Sequence, residues 1–353
     1  PMEAAEGLEM RISSQLTGES IVFQDVAVGE VWLAGGQSNM EFLLKYDSQA
    51  QEMYQAGPDR LLRFFRYPLA CFTGCMEKDA FPDDGFWRQW GGEEDRGMFS
   101  AAAAYMGQML REKLGVPVGF VGVNWGGTPA AAWTALEDLK ANPALAGVLQ
   151  WHRQGCAAVD MEKYYAASDL PQREPSPEEK ARRERMMMGQ GLDGPRTPPP
   201  PADYMPYAPG PRSAVRPGGL YESMLQKVAP YGVRGIVWYQ GEDDDFRGWA
   251  SFYDESMRTL IKSWRKLWGK ELPFLQVELA PFRGQGPTAA KAYPTMRAMQ
   301  RAAADTLPGV HNVCIMDAGD PINIHVRKKK PVGQRLALLA RKYVYGETGL
   351  LAD

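Results

Sequence analysis

Residues Val31–Phe42, "VWLAGGQSNMEF", join an apolar run to two glycines and then to a serine with an amide on either side. An apolar run of this length reads as a buried strand. Gly35 and Gly36 then let the chain turn sharply where the strand ends. Ser38 follows in a small polar cluster that is costly to bury. Such a cluster is either a tight turn and nothing more, or a turn that holds one hydroxyl still while a neighbour removes its proton.

The same pattern, an apolar run stopping in small or polar residues, recurs downstream. It appears in "VPVGFVGVNWGG" (116–127), "VRGIVWYQGE" (233–242), "LPFLQVELAPF" (272–282) and "HNVCIMDAG" (311–319). Helical patterns lie between and after these runs: "SAAAAYMGQMLREKL" (100–114), with Ser100 as N-cap and Gly115 past the end, and "PAAAWTALEDLK" (129–140). "LYESMLQKVAPYG" (220–232), "ASFYDESMRTLIKSWRKLW" (250–268), "TMRAMQRAAADTL" (295–307) and "VGQRLALLARKYVYG" (332–346) follow. Strands alternating with helices predict an α/β fold with a mostly parallel sheet and helices on both faces. Ahead of them, "LEMRISSQ" (8–15) and "SIVFQDVAV" (20–28) read as short strands, a β-rich N-terminal segment over residues 1–27. The main domain then runs over 28–353. Its rhythm breaks at about 151–217, where a charged helical piece, "SPEEKARRERMMM", precedes the proline-rich "GPRTPPPPADYMPYAPGPR". That region is read as a surface insertion.

Composition narrows the function. The chain has 353 residues, 44% hydrophobic and 24% charged, with a formal net charge of -3. It can fill a core, and nothing in its charge suggests a nucleic-acid footprint. No apolar stretch approaches the roughly 20 residues that cross a bilayer, so no membrane insertion is expected. The first residues show neither a basic start nor an apolar core of a signal peptide. Four cysteines, Cys71, Cys75, Cys156 and Cys314, fit neither a zinc pattern nor a disulfide framework, and three scattered histidines give no ligand spacing. No metal or other cofactor is expected. Cys71 and Cys75 either pair across a short loop or remain buried thiols.

In an open α/β sheet, ligands bind beyond the carboxyl ends of the strands. The ends here present "GGQSNM", "NWGGTP", "YQGEDDD", "LAPF" and "DAGDPINIH". Each has a plain reading. "WGGTP" is a strand-to-helix loop with Thr128 as N-cap and Pro129 as first helical residue, and "YQGEDDD" a solvated acidic turn. His325 stands before the basic run "RKKK", as a surface residue in a charged loop would. His152 falls in the insertion and His311 at a strand entrance. Taken together, however, successive strand ends supply a serine, a histidine, glycine N–H groups and a glutamine amide. Those are the parts of a serine hydrolase: nucleophile, base and oxyanion donors.

With these stretches in their order from about Asp25 to Arg341, the chain resembles the sialate O-acetylesterase family of carbohydrate esterases, within the SGNH hydrolase superfamily. The resemblance rests on "VAVGEVWLAGGQSNMEF", "VGVNWGGTPAAAW", "LYESMLQKVAPYGVRGIVWYQGEDD" and "DAGDPINIHVRKKKPVGQRLALLAR", with the two helical stretches between the last pair. It implies a three-layer α/β/α sandwich of flavodoxin-like type. It also implies that residues 1–27 are the tail of a preceding β region. Matched position by position, Ser38 is the nucleophile and its N–H an oxyanion donor. Gly126, with Gly127 as the alternative, is the second donor, Gln240 the third, and His325 the base.

The aspartate common two or three residues before the histidine is absent: Asn323 and Ile322 stand there, and Val326 replaces a common proline. The partner of the imidazole is therefore open between a backbone carbonyl near Ile322 or Asn323 and a displaced carboxylate, Glu242 or Asp320.

The implied substrate is an acetylated sugar, sialic acid first, with acetylated xylan or a carbohydrate-binding role of low turnover as alternatives. Tyr164, Tyr165, Tyr204, Tyr207, Trp125 and Trp133 are aromatics that either stack on sugar or pack. Asp243, Asp244 and Asp245 would repel a sialic acid carboxylate unless they point away, and Arg212, Arg216 or Arg247 would offset them. The resemblance favours an extracytoplasmic location.

Overall fold

The computed structural model describes residues 2–72, 85–169, 176–190, 209–284 and 289–351. Among them, strands β1 (Ala5–Ser13) and β2 (Ser20–Val28) form an antiparallel pair. A seven-stranded sheet holds β3 (Glu30–Gly36), β4 (Asp59–Arg66), β5 (Trp87–Trp90) and β6 (Val118–Asn124). It continues with β7 (Gly235–Tyr239), β8 (Phe274–Val277) and β9 (Val310–Val313). The order is β5-β4-β6-β3-β7-β8-β9, parallel throughout except for β5 at the edge.

Helices cover both faces. On one side Ala101–Leu114 packs with Lys330–Leu339, and their apolar residues share a core with Trp32, Ala34 and Phe120. On the other, Tyr253–Trp268 and Tyr293–Thr306 share a core with Leu33, Val121 and Trp238. The alternation of side chains along each strand assigns them to the two cores. The result is the three-layer α/β/α sandwich expected. The central strand β3 is the switch point: the chain fills the β6 side first, laying β4 and β5 at the edge and then inserting β6 beside β3, and afterwards builds outward through β7, β8 and β9. Ligands in open α/β sheets bind beyond the carboxyl ends of the strands at such a point, here the end of β3.

Several local expectations need correction. Asp59–Arg66 and Trp87–Trp90 are strands that the sequence pattern concealed. "DRLLRFFR" carries three arginines, and only alternate positions of this near-edge strand are buried. "PAAAWTALEDLK" is a 3₁₀ turn (Ala130–Trp133) followed by a separate helix, Leu136–Ala141, with Thr134 and Ala135 extended between them. Thr128 is no N-cap: its hydroxyl donates to the Trp125 carbonyl at 2.7 Å and accepts from the Trp133 indole at 3.0 Å. Ser100 does cap its helix, accepting the Ala103 N–H at 3.4 Å, and Gly115 ends it at φ 68°.

The β1–β2 hairpin carries its apolar side chains on one face, where Ile12 pairs with Ile21 and Met10 with Phe23, and all four are exposed. Within 151–217 the described residues form helices Met161–Asp169 and Pro177–Met187, after the helix Ala146–Ala157. Most of the proline-rich stretch, with Tyr204 and Tyr207, lies outside the described residues, as does Cys75.

Candidate active site

Ser38 opens the helical turn Ser38–Glu41 directly after β3. Gly36 makes this turn possible. Its φ is 136°, and a Cβ there would stand 2.2 Å from the Tyr239 carbonyl oxygen. Amides such as Gln37 and Asn39 commonly bond the backbone of their own turn. Here they reach neighbouring strand ends instead. The Gln37 Oε1 accepts the N–H groups of Gly241 at 3.4 Å and Asp243 at 3.2 Å, in the loop after β7. The Asn39 Nδ2 donates to Glu242 Oε1 at 2.5 Å and to the Ile324 carbonyl at 3.0 Å. Both amides are buried, so satisfying them across the crevice avoids the cost of orphaned polar groups. Ser38 is thereby pinned on one side to the β7 loop and on the other to the loop carrying His325.

His325 is buried, and its ring stacks on Phe42 with centroids 6.4 Å apart at 28°. Its N–H donates to Asn323 Oδ1 at 3.0 Å, while Asp320 Oδ1 accepts the N–H groups of Ile322 and Asn323, each at 2.8 Å. Asn323 and Asp320, two of the residues expected to orient the imidazole, thus shape the backbone of its loop. Glu242 touches that loop through Asn39. The end of the segment 176–190 packs on it as well. A Cβ on Gly189 would lie 3.0 Å from Asn323 Nδ2, and Met187 joins the core that holds Phe42 and Val326. The segment 176–190 is therefore a wall of the histidine loop.

The oxyanion donors are placed unevenly. Gly126, at the end of β6, lies against the nucleophile turn: a Cβ on it would stand 3.1 Å from Ser38 Cβ. Its N–H, however, donates to Glu41 Oε2 at 2.8 Å, and Glu41 Oε1 accepts from Arg66 at 2.9 Å in a buried ion pair. Gly127 turns at φ 70°. Among the described residues its N–H and that of Ser38 have no acceptor. Gln240 differs from expectation. It is fully buried, and its Nε2 donates to the Thr128 carbonyl at 3.1 Å and to Asp244 Oδ2 at 2.6 Å. Its Oε1 accepts from Tyr253 at 2.7 Å. The amide is committed to the core beneath the crevice. A glutamine at a strand end cannot be assigned to crevice or core by sequence, because either direction is open to it.

The acidic run is likewise not a solvated turn. Asp244 and Asp245 are buried, and Asp245 accepts the N–H groups of Lys291 at 2.7 Å and Ala292 at 2.6 Å. Burial, with the charge of Asp243 next, raises the Asp244 carboxyl to about 7. Asp243 pairs with Arg247 at 2.5 Å and Arg216 with Glu222 at 2.8 Å. Arg212 lies over the rings of Phe72 and Tyr165, at 4.7 and 5.0 Å. Trp125, Trp133 and Tyr164 are buried and pack, whereas Tyr165 is exposed. His311 stacks on Tyr343 with centroids 3.7 Å apart, and half-buried His152 lies 3.2 Å from the Gly210 carbonyl.

Lys329, in the run taken as surface, is fully buried, and its Nζ donates to Asn39 Oδ1 at 2.5 Å. Burial lowers it to about 7 against the opposing pull of Glu242 and Asp47, and burial raises Glu242. Among the described residues no group of His, Cys, Asp or Glu could hold a metal ion, and no helix is long and apolar enough to cross a membrane.

Fold and cluster define a three-layer α/β/α chain with its candidate site at the switch point of the sheet, although β6 lies between β3 and β4, which departs from the flavodoxin strand order the resemblance implied. Residues 206–342 match the family described as "Carbohydrate esterase, sialic acid-specific acetylesterase", a segment that includes His325 but not Ser38. Among curated proteins, the sialate O-acetylesterase of Rattus norvegicus is 26% identical over 99% of this chain and 63% of its own length. The Homo sapiens sialate O-acetylesterase is 25% identical over 98% of this chain and 60% of its own. A solved structure of a carbohydrate acetylesterase from Xanthomonas citri aligns with a TM-score of 0.64 at 28% identity, covering 94% of this chain and 60% of that one. The chain is thus similar to sialate O-acetylesterases and to a solved carbohydrate acetylesterase, and over 206–342 to the family model. It spans about three-fifths of the length of the curated relatives it matches.

Proposed function

We propose that this chain is a serine esterase that removes O-acetyl groups from sugars, with Ser38 as nucleophile and His325 as general base. The observation that carries the reading is the Asn39 bridge. The residue next to Ser38 donates to the carbonyl of the residue before His325, which ties the two candidate segments to each other.

In the reaction, Ser38 Oγ attacks the acetyl carbonyl carbon as His325 takes its proton. The tetrahedral oxyanion collapses, the sugar hydroxyl leaves with the proton from His325, and acetate stays esterified to Ser38. Water, deprotonated by His325, then releases acetate. The N–H groups of Ser38 and Gly127 are the donors best placed for the oxyanion, and losing one such donor typically costs about 2.7–4 kcal/mol in the barrier. Gly126 joins them if Glu41 yields its N–H. Asp244 and Asp245 turn inward and Asp243 pairs with Arg247, so the acidic run does not present free carboxylates that would bar an acetylated sialic acid as substrate. The curated relatives' names point the same way.

Acetate release from O-acetylated sialic acids and from acetylated xylo-oligosaccharides tests the proposal. Ser38→Ala is expected to fall to background, and His325→Ala to lose orders of magnitude in kcat. Faster turnover of the xylo-oligosaccharides would transfer the assignment to a polysaccharide acetylesterase. Sugar binding without acetate release by the wild-type chain would overturn the esterase reading.

A further inference from the structure

Lys329 sits where a charge needs a reason. It is wholly out of water, yet it belongs to a stretch of basic residues that solvent would accommodate without cost. Its neighbours supply the reason. The ammonium donates to Asn39 Oδ1, and it lies over the rings of Phe42 and Tyr239, 4.9 and 4.8 Å from their centroids. Phe42 in turn stacks on His325. The backbone N–H of Lys329 donates to Asp47 Oδ2 at 2.7 Å, and Tyr105 donates to Asp47 Oδ1 at 2.8 Å.

The partners of Asn39 determine which way its amide faces. Lysine has only donors to offer, so Asn39 must turn its oxygen to Lys329. The Ile324 carbonyl only accepts, so the nitrogen must face it, and Glu242 Oε1 takes the other N–H at 2.5 Å. We propose that Lys329 is a positioning residue, holding the Asn39 amide in the one orientation that ties the turn of Ser38 to the loop of His325. This rests on the assignment of Ser38 and His325 above.

The buried charges form a bridged set, Lys329 and Glu242 on the two ends of one amide. The groups facing Lys329 are Glu242 after β7, Asp47 with Tyr105 behind it, Tyr239 at the end of β7, and His325 beyond Phe42. The ammonium is held down to about 7 mainly by burial. The bridge is therefore charged below that value and loses its donor charge above it. Activity that needs the bridge should decline on the alkaline side.

Two readouts test this. One is kcat on an acetyl ester as a function of pH, and the other is the rate at which a fluorophosphonate labels Ser38, which needs no sugar. Lys329→Met is expected to lower both at least tenfold at pH 6.5, leave KM within twofold, and lack the alkaline decline of the wild type. Asn39→Ala should show the same losses, and the double variant no more than either alone. If Lys329→Met does not fold, as judged by thermal unfolding, Asn39→Ala and the wild-type pH profile carry the test. A folded Lys329→Met with wild-type labelling and an unchanged alkaline limb overturns the proposal. So does an Asn39→Ala that labels at the wild-type rate. Wild-type protein that is labelled but releases no acetate overturns the acetylesterase reading alone, and the labelling rates still decide the role of Lys329.

Discussion

Substituting Gly126 by alanine probes whether the end of β6 and the nucleophile turn are as close as the site requires. The φ of Gly126 is not in the left-handed region, so alanine brings no backbone strain of its own. The added methyl would stand 3.1 Å from Ser38 Cβ and 3.2 Å from Glu41 Oε2, where ordinary contact begins at 3.4 Å. Relief requires a displacement of a few tenths of an ångström. Glu41 is held by Arg66 and the turn of Ser38 is pinned at Gln37 and Asn39, so part of that displacement falls on Ser38. A misplacement of 1 Å at a reacting centre costs about 10²-fold, so a third to a half of that distance should cost about tenfold in kcat. Stability should fall by no more than about 2 kcal/mol, the ordinary cost of a mild overpacking. The assay is steady-state acetyl ester hydrolysis beside a urea titration. Gly147→Ala, where a Cβ meets nothing within 4 Å, serves as the neutral control. A Gly126→Ala enzyme with the wild-type kcat would refute the claim that Gly126 packs against a catalytic Ser38.

Gly36→Ala combines a φ of 136° with a methyl 2.2 Å from backbone oxygen, and is expected to cost about 3 kcal/mol or more, read as a lowered urea midpoint or loss of soluble protein. Gln240→Ala removes the partners of Thr128, Asp244 and Tyr253, so it should cost about 3 kcal/mol in stability while kcat per folded molecule stays within about threefold. A large loss of kcat with unchanged stability would return Gln240 to the oxyanion hole. Lys329 also makes stability depend on pH. Between about 7 and its unfolded value the unfolded chain binds a proton that the folded chain does not, so wild-type stability rises with pH there, by at most about 1.4 kcal/mol per unit. Lys329→Met should lack that rise, and parallel urea midpoints from pH 7 to 9 would refute it.

The central strands could be read from sequence because burial on both faces leaves an unbroken apolar run, as in "EVWLAGG" and "VGFVGVN". Strands β4 and β5 could not, because an edge position tolerates arginine and the pattern then resembles a loop. The site divides along a similar line. Ser38 and Gly126 stand just past strand ends, where chain geometry fixes their neighbours, whereas His325 lies in the loop twelve residues beyond β9 that Asn39 joins to the Ser38 turn. What remained hidden is the identity of the groups that hold them. Asn39, Glu41, Arg66 and Lys329 act through contacts made across 25 to 290 positions of sequence. No local pattern distinguishes a buried lysine from its exposed neighbours in "RKKK".

That asymmetry has a physical consequence for the missing aspartate before His325. An acid in the usual place would orient the imidazole locally and cheaply. Here Asn323 caps the loop, and its tie to the nucleophile turn runs through Asn39, flanked by a buried lysine and a buried glutamate. A folded chain keeps the desolvated charge of Lys329 below pH 7 only if its partners offset the cost. Stability and activity should then move in opposite directions as pH rises past 7: the fold gains as Lys329 sheds its proton, and the bridge that aligns Ser38 with His325 weakens. A profile in which stability rises past pH 7 while activity stays flat would mean that Lys329 serves the core and not the site.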